Sequence, residues 1–196
     1  KRLENVDDSA ERRTLRLRLA DLSASELGDA AGAYGALESA FLDNPNDADL
    51  FERLAGVAEA AERHEAFAKA LVEAIDSGSL AAEAELIYCR RTAELYEVVL
   101  AAPDAAARFH RRILQLEPLD SAAFAALKQR YKKDEHWDDL RALYQQRIEA
   151  TTDAGSKLDL LLQLCFLFEE ILDEPKQAIA SYEQALELDP GHTPSR

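Results

Sequence analysis

Four histidines are the first candidates for chemistry: His64, His110, His136 and His192. A catalytic zinc would need two imidazoles and a carboxylate at a spacing such as H-E-x-x-H, which puts both ligands on one helix face. No such spacing occurs. His64 and His136 fall in turn-like stretches (ERHEAF and DEHWDDL), and His110 falls inside a helical run where a packed role is expected. Cys89 and Cys165 lie in apolar helical segments and read as free buried thiols, with no disulfide framework. A Cys–His nucleophile would need distant segments to cooperate, and nothing in the spacing asks for that. There is no glycine-rich phosphate loop and no G-x-S-x-G elbow. Carboxylate pairs such as Glu169-Glu170 are what 38 acidic residues supply by chance. No enzyme, metal or cofactor is therefore read, and function is expected to come from surface.

The net charge of −15 limits that surface. Nucleic acid is excluded as a partner because each neutralised phosphate needs a Lys or Arg, and an anionic membrane face is excluded by the same argument. Acidity of this kind keeps a surface-rich protein soluble or serves a basic protein or peptide partner. No signal peptide and no apolar run long enough to span a bilayer is present. The chain starts with Lys1, so an upstream signal could have been removed, and cytoplasm and periplasm both stay open. One stretch runs against the trend: Arg108, Arg111, Arg112, Lys128, Arg130, Lys132 and Lys133 form a basic island against Glu117 and Asp120. On helices these cations would point several ways; the alternative is a patch for an acidic segment, such as a neighbouring copy of the chain.

The elements that must position any surface follow from an internal period. Pro45, Pro118 and Pro190 each close a helical run, and they lie 73 and 72 residues apart. Shifted by 72, Leu95/Leu167, Glu97/Glu169, Leu100/Leu172, Pro103/Pro175, Ala106/Ala178, Leu114/Leu186 and Leu116/Leu188 coincide. Fixed-period self-similarity marks a repeat architecture. Weaker terminators (Asp76–Gly78 and Thr151–Gly155) halve the period, which gives five helix pairs: 8–44, 47–77, 79–117, 121–152 and 156–189. Odd pairs break at Gly28-Asp29, Ala102-Pro103 and Glu174-Pro175, where proline suits the first turn of the second helix. Even pairs share another turn, at an offset of 73 that superposes His64/Trp137, Phe67/Leu140 and Leu71/Tyr144. The stretch from Gly78 to Pro118 is longer than its counterparts, so the first helix of pair three is expected to be extended.

Helical periodicity agrees. Leu164, Leu167, Phe168 and Ile171 form one apolar stripe in pair five; Ala178, Tyr182, Ala185 and Leu186 form another. Small residues at Ala178 and Ala185 should let the paired helices approach. At the ends, KRLENVDD reads as the tail of a preceding helix, and LELDPGHTPSR stops where a further first helix would begin. No polar capping face is evident, so the chain is expected to be a segment of a longer array, with self-association possible through its uncapped ends.

Pair five reads Leu164-Cys165, Phe168, Ala178, Tyr182, Ala185, Pro190; pair three reads Thr92-Ala93, Tyr96, Ala106, His110, Ile113, Pro118; pair four reads Phe124, Leu127, Tyr131, Leu140, Tyr144. This pattern resembles the tetratricopeptide repeat, and its style is similar to long arrays of high-GC bacteria such as myxobacteria. The resemblance implies an all-α solenoid of about five helix-turn-helix pairs wound into a right-handed superhelix. It also implies that first helices line a concave groove for peptides or partner helices. Carried over by matching positions, the groove would show Asp49, Glu52 and Glu59, then Arg90, Glu94 and Glu97, then Gln129 and Lys132, then Phe166, Glu169 and Glu170. Carboxylates predominate, so the implied ligand is basic, with Phe166 as an apolar anchor. Some members bind acidic chaperone tails through a Lys/Asn clamp, but Asn5, Asn44 and Asn46 miss the groove positions. The implied function is a non-enzymatic scaffold or adaptor; the alternatives are a peptide-sensing regulatory module and a structural spacer in a bacterial envelope or motility complex.

Overall fold

The computed structural model describes residues 9–25 and 29–191; the expectations placed on Asn5, Gly28, His192 and the two terminal stretches lie outside the described residues. The chain divides into two compact units, residues 1–109 and 110–196. The first holds α1 (Ser9–Ser25), α2 (Ala30–Asp43), α3 (Ala48–Ala60), α4 (His64–Asp76), α5 (Ala82–Glu94) continued by a π-helical turn (Leu95–Val99), and the start of α6 (Pro103–Leu116). The second holds the rest of α6 and α7 (Ser121–Lys133), α8 (Trp137–Ala150), α9 (Ala154–Glu170) and α10 (Pro175–Leu188). The fold is all-α, a repeat of helix pairs.

Polar side chains set where helices begin. Asp29, Asp47, Asp120 and Asp153 each accept amide hydrogen bonds from the first turn of α2, α3, α7 and α9, satisfying donors that the helix cannot. Asp153 does this through Ser156 N–H at 2.8 Å. That cap draws Ala154 and Gly155 into the first turn, so the sequence expectation of a turn through Gly155 is corrected. The start of pair three is corrected as well: α5 begins at Ala82, not Ser79. Asn46 holds the intervening linker, donating to Ser79 O at 3.0 Å and accepting from Ala81 N–H at 2.8 Å.

Helix ends alternate in two forms. In the even pairs, Arg63 N–H reaches Ala58 O at 2.8 Å and His136 N–H reaches Tyr131 O at 2.9 Å, five residues back. Between them stand Glu62 and Glu135 in the left-handed region, φ 53° and 56°. This is the closure usually made with glycine. In the odd pairs the reach is six residues: Asp29 to Ser23, Ala102 to Tyr96, and Glu174 to Phe168. Ala101 and Asp173 take the left-handed position, φ 48° and 53°. The backbone thus repeats the offsets of 72 and 73 seen in the sequence: α5 begins 72 residues before α9, and the π-helical turn that continues α5 ends at Val99.

An aromatic cluster sits among the alanines and leucines of the first unit's core. Tyr88 stacks on Phe51 (centroids 4.7 Å apart) and meets Phe41 edge-on at 5.5 Å, and its hydroxyl donates to Pro45 O at 2.7 Å. Burial pushes that hydroxyl's pKa up to about 12. In the second unit Ala178 and Ala185 are buried and Leu164, Leu167 and Phe168 pack as expected. The Cys165 thiol donates to Ala178 O at 3.9 Å across the contact of α9 with α10. Ile171 departs from its predicted stripe: α9 ends at Glu170, the chain turns, and Ile171 is 42% exposed.

Candidate functional site

A cavity with a mostly apolar wall lies wholly within the second unit. The turn Asp134–His136 reverses the chain so that Trp137 opens α8 directly beside the end of α7. Against these two helices α9 presents Leu162, Gln163, Phe166 and Leu167, with Ile171 just past its end. Together with Lys132, Leu140 and Tyr144 they enclose a cavity of about 390 Å³. Phe166, 61% exposed, stands at its rim.

One side chain ties the three helices. Gln163 Oε1 accepts from Lys128 Nζ at 2.9 Å and from Tyr144 Oη at 3.1 Å, while its Nε2 donates to Asp159 O at 3.3 Å. Lys128 Nζ also lies 5.8 Å from the Tyr144 ring centroid, a cation–π distance. Burial, and then the charge of Lys132, hold the Lys128 ammonium below the usual lysine range. Beyond Gln163 opens a second cavity of about 400 Å³, lined by Leu119, Phe124, Arg147, Thr151, Thr152, Asp153, Ser156, Asp159 and Leu160. Arg147 has a structural task there: it donates to Pro118 O at 3.0 Å and Asp120 O at 3.2 Å, and covers the Phe124 ring at 5.1 Å.

Of the residues expected from sequence, Lys132 and Phe166 meet at the 390 Å³ cavity. Gln129 and Glu170 are exposed, and Glu169 accepts from the Tyr182 hydroxyl at 2.9 Å. That hydrogen bond, reinforced by burial, pushes Tyr182 up to about 12. In the first unit, Glu94 and Glu59 share Arg91, at 2.7 and 3.9 Å. Asp49 lies 3.7 Å from Arg13. Glu52, Arg90 and Glu97 are exposed. The basic island is dispersed among local partners: Arg108 with Asp76 at 3.4 Å, Arg112 with Gln115 at 3.0 Å, Arg130 with Asp134 at 3.0 Å. Among the described residues no three His, Cys, Asp or Glu side chains gather as a metal set, and no helix is long and apolar enough to cross a membrane. Sequence reasoning missed Trp137, Leu162 and Gln163. The one available signal was Trp137 itself, the chain's single tryptophan, placed in a turn.

Neither a protein-family model nor a curated protein matches the sequence. Solved structures do. A TPR repeats protein from Bacteroides fragilis superposes with a TM-score of 0.52 at 12% identity, over 93% of this chain and 94% of that one. The chain has the tetratricopeptide-repeat fold. Looser matches are YrrB, titled a TPR protein with an unusual peptide-binding site (TM-score 0.42, 14% identity, 98% and 92% covered), and PilF of Pseudomonas aeruginosa (0.42, 17%, 92% and 78%). In tetratricopeptide terms, α7 and α9 are first helices and α8 a second helix. The cavity therefore opens between neighbouring first helices with a second helix as its floor.

Proposed function

We propose that this tetratricopeptide-fold chain is a non-enzymatic protein-interaction module, a scaffold or adaptor, whose second unit grips a bulky apolar side chain of a partner segment. The carrying observation is Phe166, an aromatic ring mostly in solvent at the mouth of an apolar-walled cavity. Burying such a ring against a partner is what anchors protein interfaces. The wall offers one ammonium (Lys132) and one phenol (Tyr144), with no carboxylate, imidazole or thiol. That set binds and orients; it does not provide a general base or nucleophile for turnover. Asp49, Glu52, Glu59, Glu94 and Glu97 of the first unit form, in this reading, an acidic face for a basic stretch of the partner, moderated by Arg91 and Arg13.

Selection of random displayed peptides on the immobilised chain tests the reading. Peptides with an apolar consensus should emerge, and Phe166→Asp should weaken them about 30-fold, the equivalent of about 2 kcal/mol for a lost anchor. Selected peptides that bind Phe166→Asp as well as the parent would place the interaction elsewhere.

A further inference from the structure

Resting on that reading, we propose that the partner segment carries a side-chain carboxylate next to its apolar anchor, and that Lys132 receives it. The charge map of the cavity carries this. Lys132 is the only charged residue in its wall. Lys128 stands one helical turn earlier on the same side, its ammonium held by the neutral Gln163. Among the described residues, neither lysine has a carboxylate within ion-pair distance. Cations around them do: Arg130 of α7 pairs with Asp134 at 3.0 Å, and Arg141 of α8 pairs with Asp138 at 2.8 Å and Glu174 at 3.5 Å.

In a chain with 38 acidic and 23 basic residues, acids to neutralise this wall are plentiful, yet none is placed there. Two like charges four residues apart also work against α7 as a helix. The carbonyl end of α7 favours cations in its last turn, but Arg130 and Lys133 already supply those. Lys132 adds a charge turned to the cavity. An acidic group on the ligand would cancel this local excess. The recognition element is a single side-chain carboxylate beside an apolar residue, not a terminal carboxylate held by asparagines; Asn46 is committed to the α4–α5 linker.

Trp137 lines the cavity and is the chain's only tryptophan, so its fluorescence reports occupancy directly. The probes are three dodecapeptides with a central Leu-Leu-Phe, identical except for Glu, Gln or Lys on both flanks, titrated at 50 mM salt; sodium decanoate is a fourth. The Glu peptide should bind up to about 5-fold tighter than the Gln peptide and tighter still than the Lys peptide. The advantage should shrink at 500 mM salt. Lys132→Glu should reverse the order; the side chain is exposed, and circular dichroism verifies the fold of the variant. Equal binding of the Glu and Gln peptides, or preference for the Lys peptide, overturns the carboxylate and leaves the apolar anchor standing. If no peptide binds, if Phe166→Ala binds them all unchanged, or if decanoate alone binds, the interaction-module reading itself falls.

Discussion

Glu135→Gly should make the protein more stable, although it removes a side chain and adds none. Glu135 holds φ at 56° so that His136 N–H can close α7 onto Tyr131 O at 2.9 Å. A residue with a Cβ in this conformation bears roughly 1–2 kcal/mol of steric cost, which glycine does not. Against that, glycine widens the unfolded ensemble by about 0.4–1 kcal/mol. The balance is a gain of roughly 0.5–1 kcal/mol, or about 2–4 °C per kcal/mol in a chain of this length. Glu135→Val runs the other way, because β-branching tolerates positive φ least, with a loss of about 1 kcal/mol or more. Urea unfolding followed by circular dichroism and by Trp137 fluorescence, two residues away, measures both variants. A destabilised glycine variant, or a valine variant equal to the parent, would refute the account of helix closure. Glu62→Gly, at the matching place with φ 53°, should repeat the sign.

Ala178→Leu should cost about 1–3 kcal/mol by overpacking, since Ala178 is 2% exposed and its carbonyl already touches the Cys165 thiol; urea denaturation reads it. Cys165 should resist iodoacetamide at pH 8, because burial, reinforced by Glu169, pushes its thiol up to about 11, whereas an ordinary thiol near 8.5 reacts. Labelling of both buried cysteines should appear only on unfolding, and fast modification of the native chain would contradict the packing. Asp47 predicts a pH response. Burial raises its pKa, but hydrogen bonds from Arg13 and from the Leu50 and Asp49 amides outweigh that and hold it below the usual carboxylate range. A depressed folded-state pKa contributes stability that is complete above the unfolded value near 3.9 and is lost as pH falls through the folded value. Asp47→Asn should therefore flatten the acid limb of stability measured below about pH 4.

The helix pairs were legible because their signals are local: a closing proline, a small-residue stripe and a repeated offset each lie within one stretch of chain. Pro103 and Pro175 open α6 and α10 as their spacing predicts. His110 is packed, 8% exposed. The left-handed closures were hidden because Glu62 and Glu135 stand where glycine would have announced them. The cavity wall was hidden for another reason: Lys132, Trp137 and Phe166 come from three helices, and no pattern along the chain says that they meet. Position matching did place Lys132 and Phe166 on exposed faces, but it listed them separately, helix by helix, among the carboxylates. It gave no sign that Lys132 and Phe166 share one cavity wall. Ile171 was misjudged because the stripe was continued one residue beyond the end of α9.

The two kinds of helix closure have a consequence for anyone who would shorten, lengthen or recombine this protein. A single helix pair is not an interchangeable brick, since the turn inside it closes by reaching back either five or six residues. Excising one pair would set two pairs with the same kind of inner turn side by side and break the alternation. Excising two, a length of 72 or 73 residues, would keep the alternation intact. The smallest building module here is the double pair, and grafts or deletions cut to that length are the ones the backbone can absorb.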